Sequence, residues 1–339
     1  MLINQVNTQS RLVDYIETYK EKYDKVFLLT QKSIIQHYPL IQNLDINILI
    51  CQEQELCKSI KEYEDVIKKL SNNNCNKKSL IIGMGGGAIT DLSGFVASSY
   101  MRGIKHVLIP TTLLGMVDAS IGGKTALNVN NFRNLIGSFK TPIEVLLYYD
   151  FLQTLNSEEI YNGYSEIIKY ALIVDYKLFE LLEKNISSLL QSLSLPKIKP
   201  IISKCIKHKL NIVKKDQYDN DIRMILNFGH TVGHALESFY NYNLSHGQAV
   251  LYGMKIASYL SYKEHTLGKN QYDRIVNLIN KFQLPKLEKL DRKKIQELIN
   301  NDKKNIHNQL NYIVLKNIGE ATIKKNFSKK KIINALKVL

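Results

Sequence analysis

The hydrophobic period of this chain changes near residue 155, and no other feature constrains its fold as strongly. Before that point, short apolar segments alternate with helical patterns such as the one at 55–70, which is typical of a parallel α/β sheet. The predicted strands lie at 26–30, 46–50, 80–82, 106–109 and 144–149. After that point, apolar residues recur at helical spacing at 157–172, 176–193, 200–214, 231–240 and 249–265. We therefore predict an α/β domain over 1–155 and an all-α domain over 156–339, with an amphipathic helix at 323–339.

Positive charge is concentrated in the second predicted domain. The chain has 46 Lys and Arg residues against 31 Asp and Glu residues, a formal net charge of +15. Residues 1–155 carry 16 basic and 14 acidic side chains, whereas residues 156–339 carry 30 and 17. This asymmetry indicates either an anionic partner or a lysine-rich surface.

Composition excludes several classes of protein. Charged residues make up 23% of the chain and prolines number 6, which is not the composition of a disordered protein. The four cysteines are too far apart for a CxxC motif and too few for a disulfide scaffold, so a reducing cytoplasm fits best. The start of the chain lacks the pattern of a signal peptide. The most apolar stretch, 107–117, is too short for a membrane span, so we expect a soluble protein without a membrane partner.

A glycine-rich loop follows the strand predicted at 80–82. The segment Gly83-Met-Gly85-Gly86-Gly87-Ala88 stands where a buried strand ends and a helix begins. Glycines there let the backbone approach a pyrophosphate, whose charge the helix N-terminus stabilises. Thr111 and Thr112 follow the next strand and add two hydroxyl groups at the same edge of the sheet. Phosphate binding and a plain tight turn both remain open at this point.

A second glycine cluster, Asp118-Ala-Ser-Ile-Gly-Gly-Lys124-Thr125, does not form a P-loop motif. The GxxxxGK[ST] pattern needs glycine at the position of Asp118, and no clear strand precedes it. What remains is a carboxylate and an ammonium group on one loop, with Asn134 following. An ordinary polar loop would have the same sequence.

Three of the eight histidines fall within 17 residues of the second domain. His230 and His234 are four residues apart, which places both imidazoles on one face of a helix, and His246 follows. The zincin motif needs Glu at the position of Thr231, so a metalloprotease is disfavoured. A carboxylate would complete a three-ligand zinc site with an open position. Spacing alone does not choose between Glu166 and Glu237 as that carboxylate.

The motifs, taken together, resemble the 3-dehydroquinate synthase family, and the resemblance runs in order from about residue 53 to residue 304. It rests on Glu55-Leu-Cys-Lys58, Gly85-Gly-Gly-Ala-Ile-Thr-Asp91, Tyr100-Met-Arg102-Gly, Pro110-Thr-Thr, Asp118-Ala-Ser-Ile-Gly-Gly-Lys124-Thr, Arg133-Asn134-Leu-Ile-Gly, Glu166-Ile-Ile-Lys169, Arg223-Met-Ile-Leu-Asn227-Phe-Gly-His230-Thr-Val-Gly-His234, His246-Gly and Asn301-Asp-Lys303-Lys304.

This resemblance implies a fold and a set of site residues. The expected fold is an N-terminal α/β NAD-binding domain followed by a helical metal- and substrate-binding domain. A divalent metal, zinc or else cobalt, would be bound by Glu166, His230 and His246. NAD would be bound by Glu53, Glu55, Lys58, Gly85, Gly86, Gly87, Asp91, Thr111, Thr112, Lys124, Arg133, Phe151, Leu152 and Thr154. Substrate would be bound by Arg102, Asp118, Lys124, Asn134, Lys169, Lys209, Arg223, Asn227, His234 and Lys304.

The activity implied by the resemblance is conversion of 3-deoxy-D-arabino-heptulosonate 7-phosphate to 3-dehydroquinate and orthophosphate, a step of aromatic amino acid biosynthesis. NAD would be reduced and reoxidised within one turnover, and the implied assembly is a cytoplasmic homodimer. Some residues depart from the family pattern: Arg133 replaces Lys, Asp219 replaces Glu, Asp221 replaces Gly, and Gln31 stands where Asp often contacts the adenosine ribose.

Three other functions share some of these sequence features. A related cyclase such as 2-deoxy-scyllo-inosose synthase would use glucose 6-phosphate, but its relatives usually differ from Gly122-Gly123-Lys124-Thr125. A metal- and NAD-dependent polyol dehydrogenase would lack the dense set of phosphate-binding residues. A nucleic-acid-binding protein is supported only by the charge of the second half, without a recognised motif, so we expect no nucleic-acid partner.

Overall fold

The chain divides into two compact units, Met1–Asn156 and Ser157–Leu339, in a computed structural model that describes residues 1–130, 132–300 and 310–339. The first unit is built on a six-stranded parallel sheet, and the second consists mainly of helices. No helix in these described ranges is long and apolar enough to cross a membrane.

The sheet of the first unit has the strand order β1-β8-β5-β4-β2-β3, and all of its pairings are parallel. The five strands predicted in this region are confirmed, since each lies within a few residues of its predicted range. The elements of this unit are β1 (Leu2–Val6), α1 (Gln9–Glu17), β2 (Val26–Gln31), α2 (Lys32–His37), β3 (Asn47–Cys51), α3 (Ile60–Asn72), β4 (Leu80–Gly85), α4 (Gly87–Ser99), β5 (Lys105–Pro110), β6 (Lys124–Val129), β7 (Phe132–Phe139) and β8 (Glu144–Tyr148).

The order of the strands creates a crevice at the carboxyl ends of β2 and β4. After β2 the chain runs to β3 on one side, and after β4 it runs to β5 on the other side. The connections that follow these two neighbouring strands therefore lead in opposite directions. Such topological switch points are where open α/β sheets bind ligands. The glycine-rich loop joins β4 to α4 at this point. Sheet topology thus places the loop where a nucleotide would be expected.

The second unit contains the helices α5 (Ser157–Val174), α6 (Tyr176–Gln191), α7 (Leu195–Lys215), α8 (His230–Phe239), α9 (His246–Lys263), α10 (Lys269–Ile279), α11 (Arg292–Asn300) and α12 (Lys329–Ala335). It also contains an antiparallel hairpin of β9 (Tyr312–Asn317) and β10 (Glu320–Lys324) that the sequence did not predict. The predicted helix at 323–339 is therefore wrong at its start: β10 ends at Lys324, and α12 begins only at Lys329. Gly319, with φ +87°, makes the tight turn between the strands.

Glycines allow α5, α8 and α9 to pack at backbone distance. A Cβ atom at Gly253 would lie 1.8 Å from the carbonyl oxygen of Gly229. A Cβ atom at Gly247 would lie 2.7 Å from the Cα of Asn162, whose side-chain oxygen accepts a 2.7 Å hydrogen bond from the Gly247 N–H. Gly229 itself has φ +80°, which side chains rarely adopt. Packing therefore requires glycine at positions 229, 247 and 253, in the segments that also carry His230 and His246.

We predict that Gly253→Ala lowers the free energy of unfolding by about 1–3 kcal/mol, because the added methyl group overlaps the Gly229 carbonyl. Gly268→Ala is the matched control, since nothing lies within 4 Å of a Cβ at that position. Chemical denaturation followed by circular dichroism measures both variants. An unchanged midpoint for Gly253→Ala would contradict the close approach.

His106 is a buried imidazole in β5. It is 0% exposed, and neither ring nitrogen has a hydrogen-bond partner in the described part of the chain. Burial, together with the positive charge of Lys140, lowers its pKa from 6.5 to about 3. The native state therefore keeps this ring neutral at pH values where the unfolded chain takes up a proton. Stability is lost as the pH falls from about 6.5 toward 3 and is unaffected above that window.

We predict that His106→Leu removes this loss of stability. At pH 5 the loss amounts to about 2 kcal/mol relative to pH 7.5, because only the unfolded imidazole is protonated there. The denaturation midpoints of the variant and the parent protein, compared at the two pH values, measure the effect. His37→Leu, at an exposed position, controls for removal of an imidazole. Parallel pH dependence of parent and His106→Leu would refute the prediction.

Candidate active site

Three side chains of the helical unit converge on one point. Glu166 comes from the middle of α5, His230 is the first residue of α8, and His246 is the first residue of α9. Glu166 Oε1 lies 3.3 Å from His230 Nε2 and 3.2 Å from His246 Nε2. The Glu166 side chain is fully buried. These residues come from three helices, and they are the set that the family resemblance implies as metal ligands.

The geometry of this trio fits a tetrahedrally coordinated divalent metal. Metal–ligand distances of about 2.0–2.1 Å place neighbouring ligand atoms about 3.3–3.4 Å apart in a tetrahedron. The separations of Glu166 Oε1 from the two imidazole nitrogens, 3.3 Å and 3.2 Å, agree with that edge length. His230 Nδ1 lies 3.1 Å from the carbonyl oxygen of Phe228, which leaves Nε2 to face Glu166 and His246. The donor set of one carboxylate and two imidazoles is typical of catalytic zinc.

The charges around the trio favour an ionised carboxylate. Burial would raise the pKa of Glu166, but the ammonium group of Lys169 and the imidazole of His230 hold it well below its usual range. Lys169 forms an ion pair with Glu166 Oε2. Burial lowers the pKa of His230, although Glu166 opposes this change. Burial also disfavours the charged form of His246, but Glu237 and Glu166 outweigh it and raise its pKa to about 10.

A second group of possible ligands shares one member with the first. Ligand atoms of His234, Glu237 and His246 also lie within 4.8 Å of one another. The rings of His230 and His234 are 5.3 Å apart between centroids, as their four-residue spacing predicts. His234 is thus a neighbour of the trio, and Glu237 faces His246 from the side opposite Glu166.

Cationic side chains are buried in the same unit. Lys169 and Arg223 are each 1% exposed, and Lys209 is also buried. The Arg223 guanidinium donates to the carbonyl oxygen of Gln217. Asn227 ends the 3-10 turn in which Arg223 lies. Lys304, which the resemblance adds to this set, lies outside the described residues.

The departures at 219 and 221 lie in a loop closed by Asp216. Its carboxylate accepts hydrogen bonds from the N–H groups of Asn220, Asp221 and Arg223 at 3.1, 2.7 and 3.1 Å. Asp219 has φ +61°, a conformation that Asp tolerates better than most residues. The loop thereby fixes the backbone of Arg223. The role of the Asp216 carboxylate in closing this loop was not predicted. Nothing in the lysine-rich sequence before it indicates such a role.

The glycine loop of the first unit is shaped by packing as well as by its position. Gly86 caps α4, and Gly87 is its first residue. A Cβ at Gly85 would lie 2.8 Å from Ile89, and one at Gly86 would lie 3.1 Å from Thr112. The N–H of Thr111 donates to the carbonyl of Gly85. Packing against Ile89 and Thr112 thus favours glycine at 85 and 86, and the half-buried start of α4 is suited to an anion.

Lys58 connects residues assigned to two different ligands. It is 4% exposed, and its ammonium group lies 2.7 Å from Asp91 Oδ2 and 2.5 Å from Asn134 Oδ1. Burial would lower the pKa of Lys58, but Asp91 and Glu55 raise it above its usual value. The side chain of Asn128, which was not predicted, donates to Glu55 and accepts from the N–H of Asn134. Lys58 is therefore an internal hydrogen-bond donor of this unit.

Glu53, a predicted nucleotide contact, and Gln31, a departure from the family pattern, both have internal partners. Glu53 accepts hydrogen bonds from the N–H and hydroxyl groups of Ser33 at 3.0 and 2.7 Å. Gln31, the departure from Asp, donates to the carbonyl of Gln52 at 2.7 Å. Gln31 thus holds the start of the Glu53 segment.

The remaining predicted residues of this unit lie on turns and on the β6–β7 hairpin. Phe151 and Leu152 are buried in the 3-10 turn after β8, and the Thr154 hydroxyl donates to the Phe151 carbonyl. Arg102 is exposed in a turn with three successive positive φ values, 48°, 61° and 114°. The other positions are Asp118 in a π-helical turn, Lys124 at the start of β6 and Arg133 in β7.

The chain was compared with known families and proteins. Residues 48–162 match the family 3-dehydroquinate synthase N-terminal, and residues 163–305 match 3-dehydroquinate synthase C-terminal. The 3-dehydroquinate synthase of Dictyoglomus turgidum is 38% identical over 95% of this chain and 91% of its own length. That of Campylobacter jejuni subsp. doylei is 37% identical over 95% of both chains.

Solved structures share the fold at lower identity. A 2-epi-5-epi-valiolone synthase from Streptomyces hygroscopicus, with NAD⁺ and Zn²⁺ bound, superposes with a TM-score of 0.88 at 24% identity, covering 99% of this chain and 95% of that one. A 2-deoxy-scyllo-inosose synthase complexed with carbaglucose-6-phosphate, NAD⁺ and Co²⁺ gives 0.87 at 23%, covering 99% and 96%. The fold is that of these cyclases. From the sequence matches over nearly its whole length, the chain belongs to the 3-dehydroquinate synthase family.

Proposed function

We propose that this protein converts 3-deoxy-D-arabino-heptulosonate 7-phosphate to 3-dehydroquinate and orthophosphate. The observation that carries the proposal is the cluster of Glu166, His230 and His246, whose spacing fits a divalent metal, in a chain of this family. The protein would act in the cytoplasm as a homodimer. Its four cysteines are free and buried, which agrees with a reducing compartment.

Two cofactors are proposed, NAD and one divalent metal ion, zinc or else cobalt. The cyclases with the same fold were solved with NAD⁺ and either Zn²⁺ or Co²⁺. When bound, the metal would acidify the substrate hydroxyl to be oxidised, and NAD would accept and return the hydride. Glu166, His230 and His246 would hold the metal. The start of α4 with Gly85, Gly86 and Gly87, Thr111 and Thr112 after β5, and the segment from Glu53 to Lys58 would hold NAD.

The buried cations suit a substrate that carries both a carboxylate and a phosphate. Lys169, Lys209 and Arg223 lie in a water-poor environment, where charge–charge interactions are stronger than at the surface. Positive charge there would bind the phosphate and stabilise it as it leaves by β-elimination. Arg102, Asp118, Lys124, Asn134, Asn227 and Lys304 are proposed as further substrate contacts.

His234 is proposed to exchange protons with the substrate. Its ring lies beside His230 and His246, with centroid distances of 5.3 and 6.4 Å. Histidine is the side chain most often used to accept and donate protons in enzyme active sites. That capacity is what the elimination step requires next to the metal ligands.

The direct test is incubation with the heptulosonate phosphate and a catalytic amount of NAD. We expect orthophosphate release without net accumulation of NADH, and loss of that release when a chelator removes the metal. Net NADH from a simple polyol would indicate a dehydrogenase, and turnover of glucose 6-phosphate in place of the heptulosonate would indicate another cyclase. Phosphate release that is indifferent to the chelator would rule out the proposed use of metal.

We predict that Glu166→Gln reduces turnover at least about 100-fold through weakened metal binding, because the neutral amide cannot replace a charged ligand. Zinc content per chain, measured after dialysis, should fall with the activity. Glu264→Gln is the control, since that carboxylate pairs with Lys324 and Lys331 instead. Full activity with full zinc content in Glu166→Gln would remove Glu166 from the ligand set.

A further inference from the structure

His246 lies between two buried carboxylates, one at each ring nitrogen. Its Nε2 is 3.2 Å from Glu166 Oε1, and its Nδ1 is 3.5 Å from Glu237 Oε2. Glu237, in α8, is 3% exposed. The sequence left Glu166 and Glu237 as equal candidates for the metal-binding carboxylate. In the structure they face opposite sides of the same imidazole, so they can serve different purposes.

The two carboxylates differ in their access to the other histidine ligand. Glu166 Oε1 also lies 3.3 Å from His230 Nε2, so a single ion can contact all three groups. Glu237 lies near the other ring nitrogen of His246, Nδ1, and so is on the side of the ring away from Glu166. An imidazole that binds metal through Nε2 must carry its proton on Nδ1, and an acceptor at Nδ1 stabilises that tautomer.

We infer that Glu237 is a positioning residue that keeps the His246 proton on Nδ1 and so directs Nε2 toward the metal. This inference rests on the proposed function, since it presupposes a metal held by Glu166, His230 and His246. His230 has the corresponding arrangement with a neutral acceptor, the Phe228 carbonyl, 3.1 Å from its Nδ1. At His246 the acceptor is a carboxylate instead, which is the arrangement that commonly orients metal-binding histidines.

The second ligand group offers a competing role for the same side chain. If the ion were held by His234, Glu237 and His246, Glu237 would contact it directly and His246 would use Nδ1. The two arrangements predict different ligand sets. Cobalt(II) absorption distinguishes them, because its intensity and position change when a ligand is replaced and change little when a hydrogen-bond partner of a ligand is replaced.

The experiment measures zinc affinity of the metal-free full-length protein by competition with a chromophoric chelator, for the parent and for Glu237→Ala, Glu237→Gln and Glu264→Ala. Glu264 is a matched control: it is a largely buried carboxylate that follows α9, whereas His246 begins this 18-residue helix, about 27 Å away. We expect Glu237→Ala to bind zinc about 10–100-fold more weakly. Glu237→Gln should fall between Glu237→Ala and the parent, and Glu264→Ala should stay within about twofold of it.

The outcomes separate this inference from the proposed function. Parent-like zinc affinity in Glu237→Ala, or a changed cobalt spectrum in Glu237→Gln, would overturn the positioning role while leaving the metal site in place. A parent protein that binds neither zinc nor cobalt would overturn the proposed function itself. Unfolding midpoints of the metal-free variants show whether the fold is intact, and Glu237→Gln, which keeps the side-chain volume, decides the question if Glu237→Ala does not fold.

Discussion

The buried charge of Glu166 is the constraint on which the helical unit depends. A carboxylate that is removed from water is stable only if opposite charge or hydrogen-bond donors surround it. Here that compensation comes from Lys169 one turn away on the same helix and from two imidazoles on other helices. The helices α8 and α9 must therefore lie close to α5 and to each other. Gly247 permits the contact of α9 with α5, and Gly229 and Gly253 permit the contact of α8 with α9. The charge compensation at Glu166 thus depends on the close helix packing that these glycines permit.

Much of the architecture could be predicted from periodicity alone. The inner strands β2, β4, β5 and β8 are short and apolar because both of their faces are covered. The helices after residue 156 show apolar residues at helical spacing, and α5 and α9 are buried over most of their length. The two hairpins escaped prediction for a physical reason. Strand β7 is largely exposed and carries polar residues between its apolar ones, and β9–β10 interrupts a lysine-rich segment that also suits a helix. Their pairing is set by tertiary contacts that local sequence does not encode.

The residues of the candidate site were harder to predict from the sequence than the fold was. Spacing places His230 beside His234, but Glu166, the carboxylate that lies against His230 and His246, is more than sixty residues away in sequence, and no local pattern selects it. Family resemblance supplied that choice. Neither route indicated Asn128, Ser33 or Asp216, because Asn, Ser and Asp are common in loops and their role follows only from the atoms they meet.

Lys58 has a consequence for how ligands of the first unit would influence one another. Its single ammonium group holds Asp91, on the helix that starts at the glycine loop, and Asn134, on the hairpin. A ligand that draws Asn134 away leaves Lys58 with fewer acceptors and strengthens its hold on Asp91. A ligand that engages Asp91 would, in the same way, strengthen the hold of Lys58 on Asn134. Any two groups that bind at these places would thus be in thermodynamic linkage through one hydrogen-bond donor, and each would change the other's affinity by the same factor.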